Sequence, residues 1–244
     1  MKRRFVKLLK RLVASPAERT ERALIAAVLS KNLTYLTEEK LESVAKTVRD
    51  IERKGLRGIM VEAGCALGGS TIVMASLKSQ SRPLRVYDVF GMIPRPTEQD
   101  DDETRRRYSV IESGRSEGIG GDRYYGYRDD LYETVRGNLR AFGLEESRNR
   151  ISLIRGLLQE TMTIEPTVCF AHIDVDWYEP VKTSLLRIVP RLVAGGSVII
   201  DDYHAWAGAR KATDEYFEHA HGSFRRDDSA GSLKITRIAG GPAQ

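Results

Sequence analysis

The stretch GIMVEAGCALGGSTIVMASLKS, Gly58 to Ser79, decides the fold. A short apolar run, Ile59 to Val61, reaches Glu62 and Ala63 and turns at Gly64. The chain then resumes as a helix whose start is marked by Ser70 and Thr71. Strand, glycine-rich turn and helix form the opening unit of a doubly wound sheet. Working outward, the unit repeats. LRVYDVF (84–90) reads as a second strand, and ISLIRG (151–156) as a third after a helix around Leu131 to Phe142. TVCFAHIDVD (167–176) is a fourth strand, followed by a helix through EPVKTSLLRIVPRLV (179–193). GSVIIDDY (196–203) is a fifth, followed by the helix GARKATDEYFEHA (208–220), and SLKITRIA (232–239) closes as a sixth. The expected fold class is α/β, with a mostly parallel doubly wound sheet and helices on both faces. Upstream, Arg22 to Lys54 reads as helical. Within it, LTEEKLESVAKTVRDIERKG has Thr37 as N-cap, Glu38 and Glu39 in the first turn, Leu41, Val44, Val48 and Ile51 on one face, and Gly55 as the stop. The expected division is a helical extension over residues 1–54 and a main domain over 55–244. The turn-rich break runs from Pro94 to Gly126, and the segment Ile93 to Arg128 around it has the composition of a mobile loop.

A chain of 244 residues, 41% hydrophobic and 30% charged, suits a soluble globular protein with a sizeable core. No run approaches the roughly 18 apolar residues of a membrane span, and the start lacks the apolar core and cleavage site of a secretory signal. Cys65 and Cys169 read as buried free thiols, and the expected compartment is cytoplasmic. The net charge of +5 is local. Of 39 basic and 34 acidic residues, seven basic and one acidic fall within Met1 to Thr20, leaving 32 and 33 elsewhere. That distribution argues against nucleic acid as a partner. Phe5, Leu8, Leu9 and Leu12 make the tail a basic amphipathic helix. It either packs on the domain or a second copy in a homo-oligomer, the favoured reading, or touches anionic lipid.

The strand ends carry the chemistry. They read Glu62-Ala63-Gly64, Asp88, Arg155-Gly156, Asp174-Val175-Asp176 and Asp201-Asp202, and ligands of such sheets bind outside those ends. The loop after Glu62 matches neither G-x-G-x-x-G nor a phosphate loop, so it suits a nucleoside ligand without a phosphate. Gly68 and Gly69 would let that ligand approach the backbone, and Asp88 would take both ribose hydroxyls. S-adenosylmethionine fits this description. Asp201 and Asp202 are adjacent like charges after a buried strand, which is costly unless something offsets them. Strands about 4.8 Å apart bring Asp174 to the same place, and three hard oxygen ligands suit Mg²⁺. The alternative gives Asp202 to a helix cap and Asp201 to an arginine. Asp176 points away from Asp174 if the strand persists. A Mg²⁺ site beside a sulfonium donor points to methylation of a chelated hydroxyl, with Asp174 or His204 as general base.

At VEAGCALGGS, VYDVFGMIPRP, GIGGDRYYGYRDDL, GLLQET, HIDVDWYEP and IIDDYHAW the chain resembles the macrocin O-methyltransferase family, from about Leu33 to Phe217. The resemblance implies a Rossmann-like class I methyltransferase acting on a sugar hydroxyl of a glycosylated, macrolide-type natural product. The acceptor would otherwise be a surface polysaccharide, a glycolipid sugar or a small catechol. It also implies that Glu62, Ala63, Gly64, Ser70, Thr71, Asp88, Phe90, Gly156, Gln159 and Asp174 serve the methyl donor. Asp174, Asp201 and Asp202 would hold Mg²⁺. Residues 93–128 would form a lid over the small-molecule glycoside, with Tyr124, Tyr125, Tyr127 and Arg128 as contacts. The sequence departs from the family pattern at Val175, where glycine is common, and at His204, where an acid is.

Overall fold

A computed structural model describes residues 15–238; the stripe from Phe5 to Leu12, on which the lipid and oligomer readings rest, lies outside them. In chain order the elements are α1 (Pro16–Ser30), α2 (Glu38–Arg53), β1 (Ile59–Ala63), α3 (Gly69–Leu77), β2 (Leu84–Asp88), α4 (Asp102–Glu112), α5 (Leu131–Ala141), α6 (Glu146–Asn149), β3 (Ile151–Arg155), α7 (Leu158–Thr161), β4 (Val168–Ile173), α8 (Tyr178–Ile188), β5 (Leu192–Ile200), α9 (Ala207–His219), β6 (Phe224–Asp227) and β7 (Leu233–Arg237). The sheet order is β3-β2-β1-β4-β5-β7-β6. β7 runs antiparallel to both β5 and β6, and the other pairings are parallel.

The register positions the site. Ala63 pairs with Tyr87 on one side and Ile173 on the other, Asp88 with Arg155, and Ile173 with Ile200. The residues that follow each strand therefore emerge along one edge. They flank β1 and β4, where the strand order reverses.

Local chemistry explains the boundaries. Thr37 caps α2, its hydroxyl accepting from Lys40 N. The helical region expected from Arg22 to Lys54 is two helices, and the second begins at Glu38 behind the expected N-cap Thr37. The helix expected to reach Val193 stops at Ile188 before Pro190, and Leu192 already belongs to β5. A seventh strand, β6, has the sequence FRRD; it is an exposed edge without apolar alternation, so it carried no strand signal.

Within the N-terminal extension, α2 is built into the core. Leu41, Val44, Ala45, Val48 and Ile51 are buried in one cluster with Met60, Phe170 and Ile199 of the sheet. The opposite face of the sheet packs on α8 and α9 through Val181, Leu185, Ile188, Ala209 and Ala212. Cys65 and Cys169 are both buried free thiols. Among the described residues no helix is long and apolar enough to cross a membrane.

Candidate active site

Two cavities open at the carboxyl edge and share a wall. One is lined by Gly64, Asp88, Gly156, Leu158, Gln159 and Asp174, among others. The second, about 290 Å³, is lined by Tyr35, Lys40, Arg107, Tyr124, Asp201 and Asp202 among others. Gly64, Asp88, Tyr125, Asp174, Asp176 and Trp177 face both.

In the first cavity the glycine turn folds around Asp88. One carboxylate oxygen of Asp88 accepts from Cys65 N at 2.8 Å and Ala66 N at 3.3 Å, and the other accepts from Phe90 N at 2.7 Å. Burial raises the proton affinity of Asp88, against the pull of these backbone donors. The Cys65 side chain is a further hydrogen-bond partner of this carboxylate, so the bidentate contact to two ribose hydroxyls expected of Asp88 competes with donors from the protein itself. Gly156, at φ +141°, follows β3, and its N–H donates to Asp88 O at 3.0 Å.

The glycines serve packing more than ligand approach. A Cβ on Gly69 would meet Leu33 O at 2.5 Å and Thr34 Cβ at 2.6 Å, so the expected ligand contact there is occupied by the α1–α2 connection. A Cβ on Gly68 would come within 3.2 Å of Val135 Cγ1. Glu62, Ala63, Ser70, Thr71 and Phe90 are buried and line neither cavity. Glu62 accepts from the Thr71 hydroxyl and lies 3.2 Å from His172 Nδ1, a buried network under the loop. Phe90 stacks edge-on with Tyr132 at 4.9 Å. Of the donor residues expected from sequence, Gly64, Asp88, Gly156, Gln159 and Asp174 reach the cleft, and the others support the turn.

In the second cavity Asp174, Asp201 and Asp202 converge, one carboxylate oxygen from each lying within 4.8 Å of the others. Burial, then Asp201 and Asp202, raises the proton affinity of Asp174 well above the usual carboxylate range. Asp202 is raised likewise by burial, then Asp176 and Asp201. Asp201 Oδ1 is buried and has no hydrogen-bond partner among the described residues. Three converging carboxylates, one of them with an unpartnered oxygen, could hold a hard divalent cation. Asp176 does not turn away, as strand alternation predicted. The strand ends at Ile173, and Asp176 takes φ +58°, so its side chain faces both cavities. Its Oδ1 accepts from Trp206 Nε1 at 2.9 Å, and burial pushes its pKa up to about 6.

His204 is exposed, stacks edge-on against Tyr203 at 5.0 Å and lines neither cavity, because the 3-10 turn Asp201–Tyr203 carries it outward. The segment 93–128, expected as a lid, holds α4 and two 3-10 turns in place of an irregular loop. Tyr124 and Tyr125 face the second cavity. Tyr127 instead fastens the lid, donating to Ile111 O at 2.5 Å and accepting from Ser116 N at 3.1 Å. Arg128 lines neither cavity. Residues without a sequence signal also enter the site. Lys40, on a charged helix, donates to Asp201 Oδ2 at 2.7 Å. Arg107 reaches the cavity from the lid helix.

The chain matches the sequence profile of the macrocin-O-methyltransferase (TylF) family over residues 6–223. The demethyldecarbamoylnovobiocin O-methyltransferase of Streptomyces niveus is 27% identical over 194 residues, 75% of this chain and 67% of that protein. The 8-demethyl-8-(2,3-dimethoxy-alpha-L-rhamnosyl)-tetracenomycin-C 4'-O-methyltransferase of Streptomyces olivaceus is 29% identical over 184 residues, 73% of this chain and 65% of that protein. The matched region is thus about two thirds of each relative. Among solved structures, the O-methyltransferase NovP aligns with a TM-score of 0.69 at 24% identity, covering 85% of this chain and 83% of that one, a likeness of fold.

Proposed function

This chain belongs to the macrocin-O-methyltransferase family, and from that premise we propose that it methylates a sugar hydroxyl of a glycosylated natural product, using S-adenosylmethionine and Mg²⁺. The observation that carries the reading is that Asp174 stands in the wall between two cavities. One is walled by Asp88, Gly156 and Gln159, and the other holds the three converging carboxylates. The tetracenomycin relative, whose name specifies a rhamnosyl acceptor, favours a sugar.

The donor, when bound, supplies an electrophilic sulfonium methyl, and the cation supplies Lewis acidity toward acceptor hydroxyls. The protein does the rest by placement. Asp88 would face the ribose of the donor, and Gly156 and Gln159 border the same space. Asp174, Asp201 and Asp202 would hold the cation. Asp176 faces both cavities but lies outside that converging set, so it is free to take the acceptor proton while Trp206 orients its other oxygen. The assignment divides two duties that the sequence placed together on Asp174, and it leaves His204 without a role in proton transfer. Tyr124, Tyr125 and the Trp177–Trp206 pair, centroids 5.3 Å apart, offer aromatic faces to a sugar ring.

The test is calorimetric titration of S-adenosylmethionine, with and without Mg²⁺, into wild type, Asp176→Asn and the double variant Asp201→Asn/Asp202→Asn. The double variant should keep donor binding and lose the Mg²⁺ heat. Asp176→Asn should keep both and lose methyl transfer by roughly 10²–10⁴-fold, the usual worth of a general base. Absence of donor binding to wild type would sink the reading of the glycine turn.

A further inference from the structure

We infer that Lys40 sets the ion selectivity of the acidic cluster by fixing Asp201 so that one carboxylate oxygen, not two, faces the ion. The inference rests on the reading of Asp174, Asp201 and Asp202 as ligands to a divalent cation. Lys40 comes from the first turn of α2, 161 residues away in sequence. Its ammonium donates to Asp201 Oδ2 at 2.7 Å and to the Asp201 carbonyl at 3.2 Å. Both side chains are largely buried, 18% and 9% exposed, so water does little to loosen the contact. The two bonds hold the carboxylate and its own backbone from one cation, which blocks rotation about the side chain. Asp201 Oδ1 is left buried and unpartnered, and one oxygen of this carboxylate lies within 4.8 Å of an oxygen from each of Asp174 and Asp202.

Asp202 is restrained in the same way. Its Oδ2 accepts from Asp176 N at 2.9 Å. Each member of the adjacent pair therefore has one oxygen committed to the protein. A cluster that offers single oxygens suits a small octahedral ion such as Mg²⁺. Ca²⁺ takes more oxygens at longer range and readily accepts both oxygens of a carboxylate. Lys40 acts through Asp201 and touches no substrate, so it is a positioning residue.

The experiment is calorimetric titration of MgCl₂ and of CaCl₂ into the full chain, as wild type, Lys40→Met and Lys40→Gln. Lys40→Met frees Asp201 Oδ2, and the ratio of the two dissociation constants should move toward Ca²⁺ by about tenfold. Lys40→Gln retains a donor to Asp201 and should fall between. It also keeps the inference open to test if the methionine variant fails to fold. A Lys40 without a role in selectivity would shift both affinities alike, in either direction. A ratio unchanged within twofold in a folded variant, while wild type still takes up Mg²⁺, therefore overturns the inference. Uptake of neither ion by wild type removes the cation site itself, and the inference with it.

Discussion

Gly64 joins the two halves of the site. It sits at φ +80°, and a Cβ there would lie 1.8 Å from the Asp174 carbonyl oxygen. The contact exists because Asp174 N donates to Ala63 O at 2.8 Å, closing β1 against the end of β4. Gly64→Ala should therefore cost about 3 kcal/mol or more, from strain and displaced backbone together. Gly143→Ala is the control, since Gly143 has φ +72° but nothing within 4 Å of a Cβ, so it should cost only about 1–2 kcal/mol of left-handed strain. Urea unfolding of both variants measures the difference, and equal losses would mean that the Asp174 contact gives way easily. Acids at strand ends were legible at this scale because a carboxylate after a buried β-branched run has few cheap explanations. Lys40 was not legible: in EEKLES it is one charged residue among several, and only the fold brings it to Asp201.

The lid shows what a charged segment can hide. The run Asp100-Asp101-Asp102 has three adjacent aspartates with three separate tasks. Asp101 caps α4, accepting from Thr104 N at 2.9 Å, and Asp102 lies exposed in its first turn. Asp100 is buried; it accepts from Tyr178 N at 2.8 Å and from Thr97 N at 2.9 Å, tying the lid to the first turn of α8. Trp177 Nε1 adds a second tie to Pro94 O at 2.9 Å. α4 left no trace in the sequence reading because TRRR interrupts any apolar stripe, and its buried residues are only Thr104, Tyr108 and Ile111. Asp100→Ala leaves Tyr178 N and Thr97 N without their acceptor, at a cost of about 1–3 kcal/mol for each donor that stays buried. The loss should fall on the lid. Limited proteolysis should cut within residues 93–128 faster than in wild type, and titration should show weaker binding in the proposed donor cavity, which Ile93, Pro94, Arg95 and Thr97 of this segment also line. Unaltered cleavage would assign the lid's order to its aromatic packing instead.

At the scale of the molecule, the alternation of strands and helices was readable because β1, β4 and the end of β5 are mostly apolar runs, and the turns after β1 to β5 carry glycine or an acid. The edge strand β6 and the depth of the N-terminal helices were not, since both depend on what lies beside them. The burial of α2 yields the last prediction. Leu41, Val44, Val48 and Ile51 are each 2% exposed or less and pack on the sheet face that bears Met60, Phe170 and Ile199. Burying a side chain of this size contributes about 1.5–3 kcal/mol, so the four together supply roughly 6–12 kcal/mol, comparable to the whole stability of an ordinary domain, about 5–15 kcal/mol. A chain beginning at Leu56 loses that face and also Lys40. It should give no cooperative thermal transition by circular dichroism and should bind no S-adenosylmethionine, even though every residue expected to hold the donor is retained. A cooperative transition in that truncated chain would make α1 and α2 a separable layer. The cluster would then have to hold Asp201 in place without Lys40.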